Sequence, residues 1–231
     1  MKSNKKHLSK DFDRYFKDCY ASIVGGGGVG KVSSHLHSKM ERMWKLNASN
    51  KSNCTILEVG SGQSQHREFV QDDFVQYVEL DRFDYGNIVK GDKRLVFFQG
   101  DCQDLADFET ESFDRVIVTC LLVHLPYPEE ALKEWRRVTK KGGIISLWIA
   151  LEPSILLRLV QRISTKRKVE KLGFDYYSMH YRDHINHYPR MRQLLREVFA
   201  TDQIRISSFP FKGLSWDLNL VEIWTIKVKD H

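Results

Sequence analysis

The run Ile56-Leu57-Glu58-Val59-Gly60-Ser61-Gly62-Gln63-Ser64-Gln65 restricts the possible folds more than any other part of the chain. Apolar residues break at an acid and then at two glycines, which reads as a strand entering a tight turn ahead of a helix. Glycine accepts positive φ and lets a ligand lie on bare backbone, and a helix start adds unpaired N–H groups. A carboxylate at Glu58 would repel a pyrophosphate. It suits instead a cofactor that carries an amino group and a sulfonium. A dinucleotide fingerprint would also need glycine or alanine at position 65, where the chain has Gln65.

Further apolar runs follow in the order of a parallel sheet. Val75 to Leu80 ends in Asp81, about 20 residues after the glycine turn, where an acid can accept ribose hydroxyls. Leu95 to Gln99 leads into Gly100-Asp101-Cys102, with Asp101 placed to take an adenine amino group. Arg115 to Leu122 precedes Val123-His124-Leu125-Pro126, and a helical stretch from Glu129 to Thr139 leads through Lys140-Lys141-Gly142-Gly143 into a strand from Ile144 to Ala150. Strands alternating with helical stretches predict parallel pairing through crossovers.

The ordered elements "LEVGSG", "VELD", "GDCQDL" and "FDRVIVTCLLVHLP…VTKKGG", spanning Cys54 to Ala150, resemble the class I S-adenosylmethionine-dependent methyltransferases of the small-molecule branch. The resemblance implies a Rossmann-like α/β fold: a seven-stranded, mostly parallel sheet with an antiparallel last strand and helices on both faces. Gln203 to Ser207 and Asn219 to Val228 would supply strands six and seven. It also implies S-adenosylmethionine as cofactor, with Glu58, Gly60 and Gly62 holding the amino acid part, Asp81 the ribose, and Asp101 with Cys102 the adenine. Ser61, Arg82 and Thr119 complete the candidate cofactor set. Ser64 stands at the family's third small position.

With 231 residues, 42% of them hydrophobic, one decorated domain is expected. Its parts would be an N-terminal helical cap (1–50), the cofactor core (54–150), a substrate lid (151–190) and a C-terminal helix with strands (191–231). Cys19, Cys54, Cys102 and Cys120 show no C-x-x-C spacing. Reduced thiols, a cytoplasmic setting, no disulfide and no metal are therefore expected. The basic start Met1 to Lys6 meets Asp11, Asp13 and Arg14 instead of an apolar core, so it does not read as a secretory signal, and no apolar run is long enough to span a bilayer.

A net charge of +6 favours anionic partners without naming one. Residues 155–168 combine Ile155, Leu156, Leu159, Val160 and Ile163 with five basic residues, the pattern of an amphipathic helix that could lie on lipid headgroups, cover a site, or simply present a solvated face. Nucleic acid is a weaker match, since no RNA-binding module or aromatic-basic alternation is present. Gly25-Gly26-Gly27-Gly28-Val29-Gly30-Lys31 fits a phosphate-binding loop as far as its lysine, but Val32 replaces the magnesium-binding hydroxyl. It reads either as a hinge between two short helices or as an anion cradle entering a helix at Ser33 or Ser34, with Lys31 adding charge.

The segment Asp175 to Tyr188 holds three histidines, four tyrosines and an arginine. Tyr176, Tyr177, His180, Arg182 and His184 are the candidate acceptor-binding residues, since aromatic rings with polar tips suit a sugar or nucleotide and arginine suits phosphate. Its H-x-x-x-H spacing lacks an H-E-x-x-H arrangement, so a metal is not expected. His124, just past the fourth strand, is the candidate general base, with a strand-capping histidine as the alternative. The layout of glycine loop and histidine–tyrosine insertion is also similar to that of methyltransferases of bacterial surface-polysaccharide clusters. These readings converge on methyl transfer to a small, anionic acceptor at oxygen, with an RNA methyltransferase and a non-catalytic cofactor-binding protein as alternatives.

Overall fold

The computed structural model describes residues 14–15, 27–47, 52–71, 73–86 and 91–229. The readings at Asp11 to Tyr20, Gly25, Gly26 and Cys19 lie largely or wholly outside them. Seven strands form one sheet: β1 (Cys54–Val59), β2 (Phe74–Asp81), β3 (Leu95–Gln99), β4 (Phe113–Thr119), β5 (Thr139–Ala150), β6 (Gln203–Phe209) and β7 (Val221–Lys227). Their order is β3-β2-β1-β4-β5-β7-β6. The first five pair in parallel, while β7 runs antiparallel to both β5 and β6. The expected sheet is thus present. Ile56 to Val59 are all buried, as a central parallel strand covered on both faces requires.

Helix α1 (Gly27–Lys45) covers one face, packing Leu36, Met40 and Trp44 on Ile56, Tyr77, Ile117, Ile144 and Ile223. On the other face, α2 (Pro128–Val138) and α6 (Tyr188–Val198) bury Ala131, Leu132, Trp135, Met191 and Leu195 against Leu57, Val116 and Leu147. Each such fully buried aliphatic side chain contributes about 1.5–3 kcal/mol. Proline opens α2, Glu129 and Glu130 occupy its first turn, and Arg136 and Arg137 its last, all matched to the helix dipole. Between β5 and α6 lie α3 (Ile155–Ile163), α4 (Thr165–Lys171) and α5 (Tyr176–Asp183). Ser154 and Asp175 cap α3 and α5 by accepting from Leu157 N (3.1 Å) and Ser178 N (2.7 Å).

Four local expectations are corrected. No α-helix follows the glycine turn after β1: the chain makes successive turns and a single 3-10 turn at Arg67–Phe69. Strand β4 stops at Thr119, because Cys120 takes a positive φ of 52° and swings the chain into a 3-10 turn, Leu122–His124. Lys140 to Gly143 are part of β5, where a side chain at Gly143 would sit 2.6 Å from the Lys140 carbonyl oxygen. Finally, Gly27, Gly28 and Gly30 are inside α1, so Ser33 and Ser34 are interior helical positions and not a helix start. The anion cradle expected at those serines is therefore not formed.

The direction of α1 matters for the site. Trp44 stacks on Arg115 at the start of β4 (4.5 Å), whereas His37 meets Trp148 edge-on near the end of β5 (6.5 Å). The helix therefore runs against the parallel strands. At about 1.5 Å per residue, exposed Lys31 projects beyond their C-terminal ends.

Candidate active site

Open parallel sheets bind ligands beyond the carboxyl ends of their strands, where the strand order reverses. Here that point lies between β1 and β4. Gly60 and Gly62 turn with φ of 67° and 53°, and a β-carbon on Gly60 would come within 2.8 Å of Leu121 Cδ2. Gly60 N and Ser61 N donate to Leu80 O (2.8 and 3.2 Å), which locks the turn onto the end of β2. Asp81 accepts from Gly62 N through Oδ2 (2.9 Å) and from Phe83 N through Oδ1 (3.0 Å). Each oxygen keeps a second lone pair for a hydroxyl donor.

Glu58 is 1% exposed, and its Oε2 accepts from the Tyr77 hydroxyl at 2.6 Å. Its Oε1 is buried without a partner, as is Ser61 Oγ. Burial pushes the Glu58 carboxyl up to about 8, against the opposing pull of the Tyr77 bond. Two orphaned oxygens beside bare glycine backbone fit a ligand bearing ammonium N–H donors. Asp101 and Gln103 close the end of β3, with Gln103 N donating to Asp101 Oδ1 at 2.9 Å. Cys102 is buried and Arg82 is exposed, lying over the Phe83 ring at 4.7 Å. Thr119 is half-buried at the end of β4. Burial pushes the thiols of Cys102 and Cys120 up to about 12, so neither is a nucleophile near neutrality.

A second group faces the same edge. His124 Nδ1 lies 2.8 Å from Asp183 Oδ1 and its ring stands edge-on to His184 at 4.9 Å. His184 Nδ1 is 2.7 Å from Glu152 Oε1, and His180 Nε2 is 3.5 Å from Glu152 Oε2. The lid and the 3-10 turn are tied together: Ile185 N and Asn186 N donate to Val123 O (both 3.1 Å), and Asn186 Nδ2 donates to Leu122 O and Leu125 O (3.1 and 2.6 Å).

Of the candidate acceptor residues, the fold brings His180 and His184 beside His124. Tyr176 is buried with Val169, Phe174 and Met179 and stacks on His180 (5.1 Å), so it braces that ring from behind. Tyr177 and Arg182 are exposed, Tyr177 beneath Lys166 (4.6 Å), and Lys31 sits apart on α1. The sequence reading missed Glu152 and Asp183. Glu152 directly follows the β5 run, the same signal that exposed Asp81; Asp183 lies three residues from His180, one helical turn along the same face.

A family model described as a methyltransferase domain matches residues 57–147. The match covers less than half of the chain. It holds the glycine turn, Asp81, Asp101 and His124, while Lys31 and the lid lie outside it. A demethylmenaquinone methyltransferase of Paenarthrobacter aurescens (strain TC1) is 31% identical over 124 residues, and the chain spans about half the length of that relative, 48% of each sequence being aligned. Among solved structures, the plantazolicin methyltransferase BpumL, in complex with SAH, superposes with a TM-score of 0.63 at 13% identity, covering 96% of this chain and 100% of that one. The YcgJ protein of Bacillus subtilis gives 0.59 at 14% identity, covering 85% and 100%. These structural likenesses concern the fold. Among the described residues, no helix is long and apolar enough to cross a membrane.

Proposed function

We propose that the chain transfers the methyl group of S-adenosylmethionine to a hydroxyl of a small acceptor seated between His124 and the lid helix α5. The observation that carries this reading is that the Gly60–Gly62 turn, Asp81 and His124 follow the ends of three adjacent strands, β1, β2 and β4. Glu58 Oε1 and Ser61 Oγ would receive the amino acid end of the cofactor, Asp81 the ribose, and Asp101 with Cys102 the adenine. When bound, the cofactor supplies an activated methyl carbon and a neutral thioether leaving group.

The chain's own part is alignment and proton handling. Asp183 holds His124 Nδ1, which would leave Nε2 to take the proton of an acceptor hydroxyl as the bound cofactor supplied the methyl group. Positioning of this kind can supply roughly 7–11 kcal/mol of the barrier. Glu152 and Asp183 stand among the lid histidines, so an anionic group on the acceptor is better served by Lys31 and Arg182. Such an acceptor would suit the surface-polysaccharide setting raised above.

Calorimetric titration with S-adenosylmethionine and S-adenosylhomocysteine tests the reading. Both should bind the intact protein. Asp81→Ala should raise each Kd by about 10²-fold, since it removes two charge-assisted hydrogen bonds and releases Gly62 N. Failure of the intact protein to bind either compound would defeat the proposal.

A peripheral contact with an anionic membrane surface is supported by α3. Ile155, Leu159 and Ile163 are at least half exposed on it, with Arg158 and Arg162 on the same helix and Arg167 and Lys168 on α4. Each basic residue near such a surface contributes about 1 kcal/mol. The protein should co-sediment with phosphatidylserine vesicles at low salt, but not with phosphatidylcholine alone, and Arg158→Glu with Arg162→Glu should abolish sedimentation. Equal sedimentation of the double variant would rule the contact out.

A further inference from the structure

The glycine turn and Asp81 account for the cofactor, and His124 with Asp183 accounts for the proton. Glu152, His180 and His184 remain unexplained. Glu152 is 4% exposed, and its polar side-chain partners are His184 Nδ1 (2.7 Å), His180 Nε2 (3.5 Å) and Gln161 Nε2 (2.6 Å). The two histidines are four residues apart, on one face of α5 and its C-terminal cap, and their rings lie 4.3 Å apart. Tyr176 braces the His180 ring from behind, and Asn186 fixes the end of the helix to the strand-end turn. The three candidate donor atoms lie within 4.8 Å of one another.

We propose that Glu152, His180 and His184 bind a divalent transition-metal ion, with Zn²⁺ the best match to two imidazoles and a carboxylate. Ligands at about 2.0–2.2 Å from a tetrahedral ion stand roughly 3.3–3.6 Å apart, which the present separations reach with small side-chain shifts. A buried carboxylate facing two imidazoles also supplies the charge and donor types that such ions select. Three protein ligands leave one position open. His184 Nε2 points the other way, 3.5 Å from Asp183 Oδ2, which would accept its N–H once Nδ1 held the ion. An acceptor oxygen that reached the open position would be polarised by the ion. That last consequence rests on the acceptor site proposed above, whereas ion binding itself does not.

The test measures binding without any acceptor or cofactor. Metal-depleted protein is titrated with Zn²⁺ against a chromophoric chelator, and with Co²⁺ while visible d–d absorption is recorded. A single ion per chain should bind, and Co²⁺ should give the intense bands of a four- or five-coordinate site. Glu152→Gln and His180→Ala should each weaken Zn²⁺ by at least about 10-fold, while His35→Ala and His187→Ala, outside the group, leave it unchanged. His180→Gln serves as a second variant if truncation unfolds the lid, and circular dichroism checks each fold. Absence of binding to the intact protein would overturn the proposal, as would binding that both Glu152→Gln and His180→Ala leave intact. Calorimetry with S-adenosylhomocysteine on the same samples separates this result from the cofactor reading, because either can hold while the other fails.

Discussion

Arg115→Met should destabilise the protein by about 3–5 kcal/mol, read as a lower urea midpoint at unchanged slope. Arg115 is fully buried at the start of β4, with its guanidinium reaching Glu41 on α1 through two contacts (2.5 and 3.0 Å) and lying over the Trp44 ring. Glu41 also accepts from His66 Nε2 (2.8 Å), and His66 in turn meets His37 (2.7 Å). Burial alone would raise the Glu41 carboxyl, yet Arg115 and His66 outweigh it and hold the group at about 2. Removing the arginine strands an ionised carboxylate between helix and sheet. The double variant Arg115→Met with Glu41→Leu should recover most of the loss, because two apolar side chains of similar bulk replace the pair. If single and double variants were equally unstable, packing on Trp44 would be the dominant contribution and the ion pair would not.

His124→Ala should lower kcat by about 10² to 10⁴-fold on a hydroxyl acceptor, with the acceptor KM and the S-adenosylmethionine Kd nearly unchanged. The measurement is S-adenosylhomocysteine release across a panel of phenols, sugars and nucleotide-linked hydroxyls. An acceptor whose hydroxyl is already acidic needs less help from a base, so the loss should shrink along a series of increasingly acidic phenols. A loss that is constant along the series would make His124 a structural partner of Asp183 and not a base. A rise in KM with kcat intact would place it in acceptor binding alone.

The sheet was legible because its signals are local. Strands β1, β2 and β3 are short apolar runs that end in glycine or an acid, and the apolar part of β5 follows two glycines, so these runs stand out in the sequence. The helix expected after Gly62 was not, because a glycine turn is compatible with several continuations, and here the turn is tied back onto Leu80 O. The same limit applies to the glycines at 27, 28 and 30. They weaken a helix by about 1 kcal/mol each, yet the anchoring of Leu36, Met40, Trp44 and Glu41 on the sheet carries the helix through them. Asp81 and His124 could be named in advance, since Asp81 ends an apolar run and His124 comes just past one. Glu152 and Asp183 acquire meaning only when helix α5, more than 50 residues after His124, folds back onto the strand ends. That juxtaposition leaves no periodic trace in the chain.

The bonds from Asn186 to the Leu122–Leu125 turn have a consequence for redesign. The segment 185–186 and the turn that carries His124 are bolted to one another, so changes on the exposed surface of α5 should leave His124 in place. Tyr177 and Tyr181, exposed on α5 and stacked on one another, form a panel where exchanges would alter entry to the acceptor site proposed above. Asn186 is the bolt, and a library that spares it can reshape the entrance while the machinery behind it stays in register.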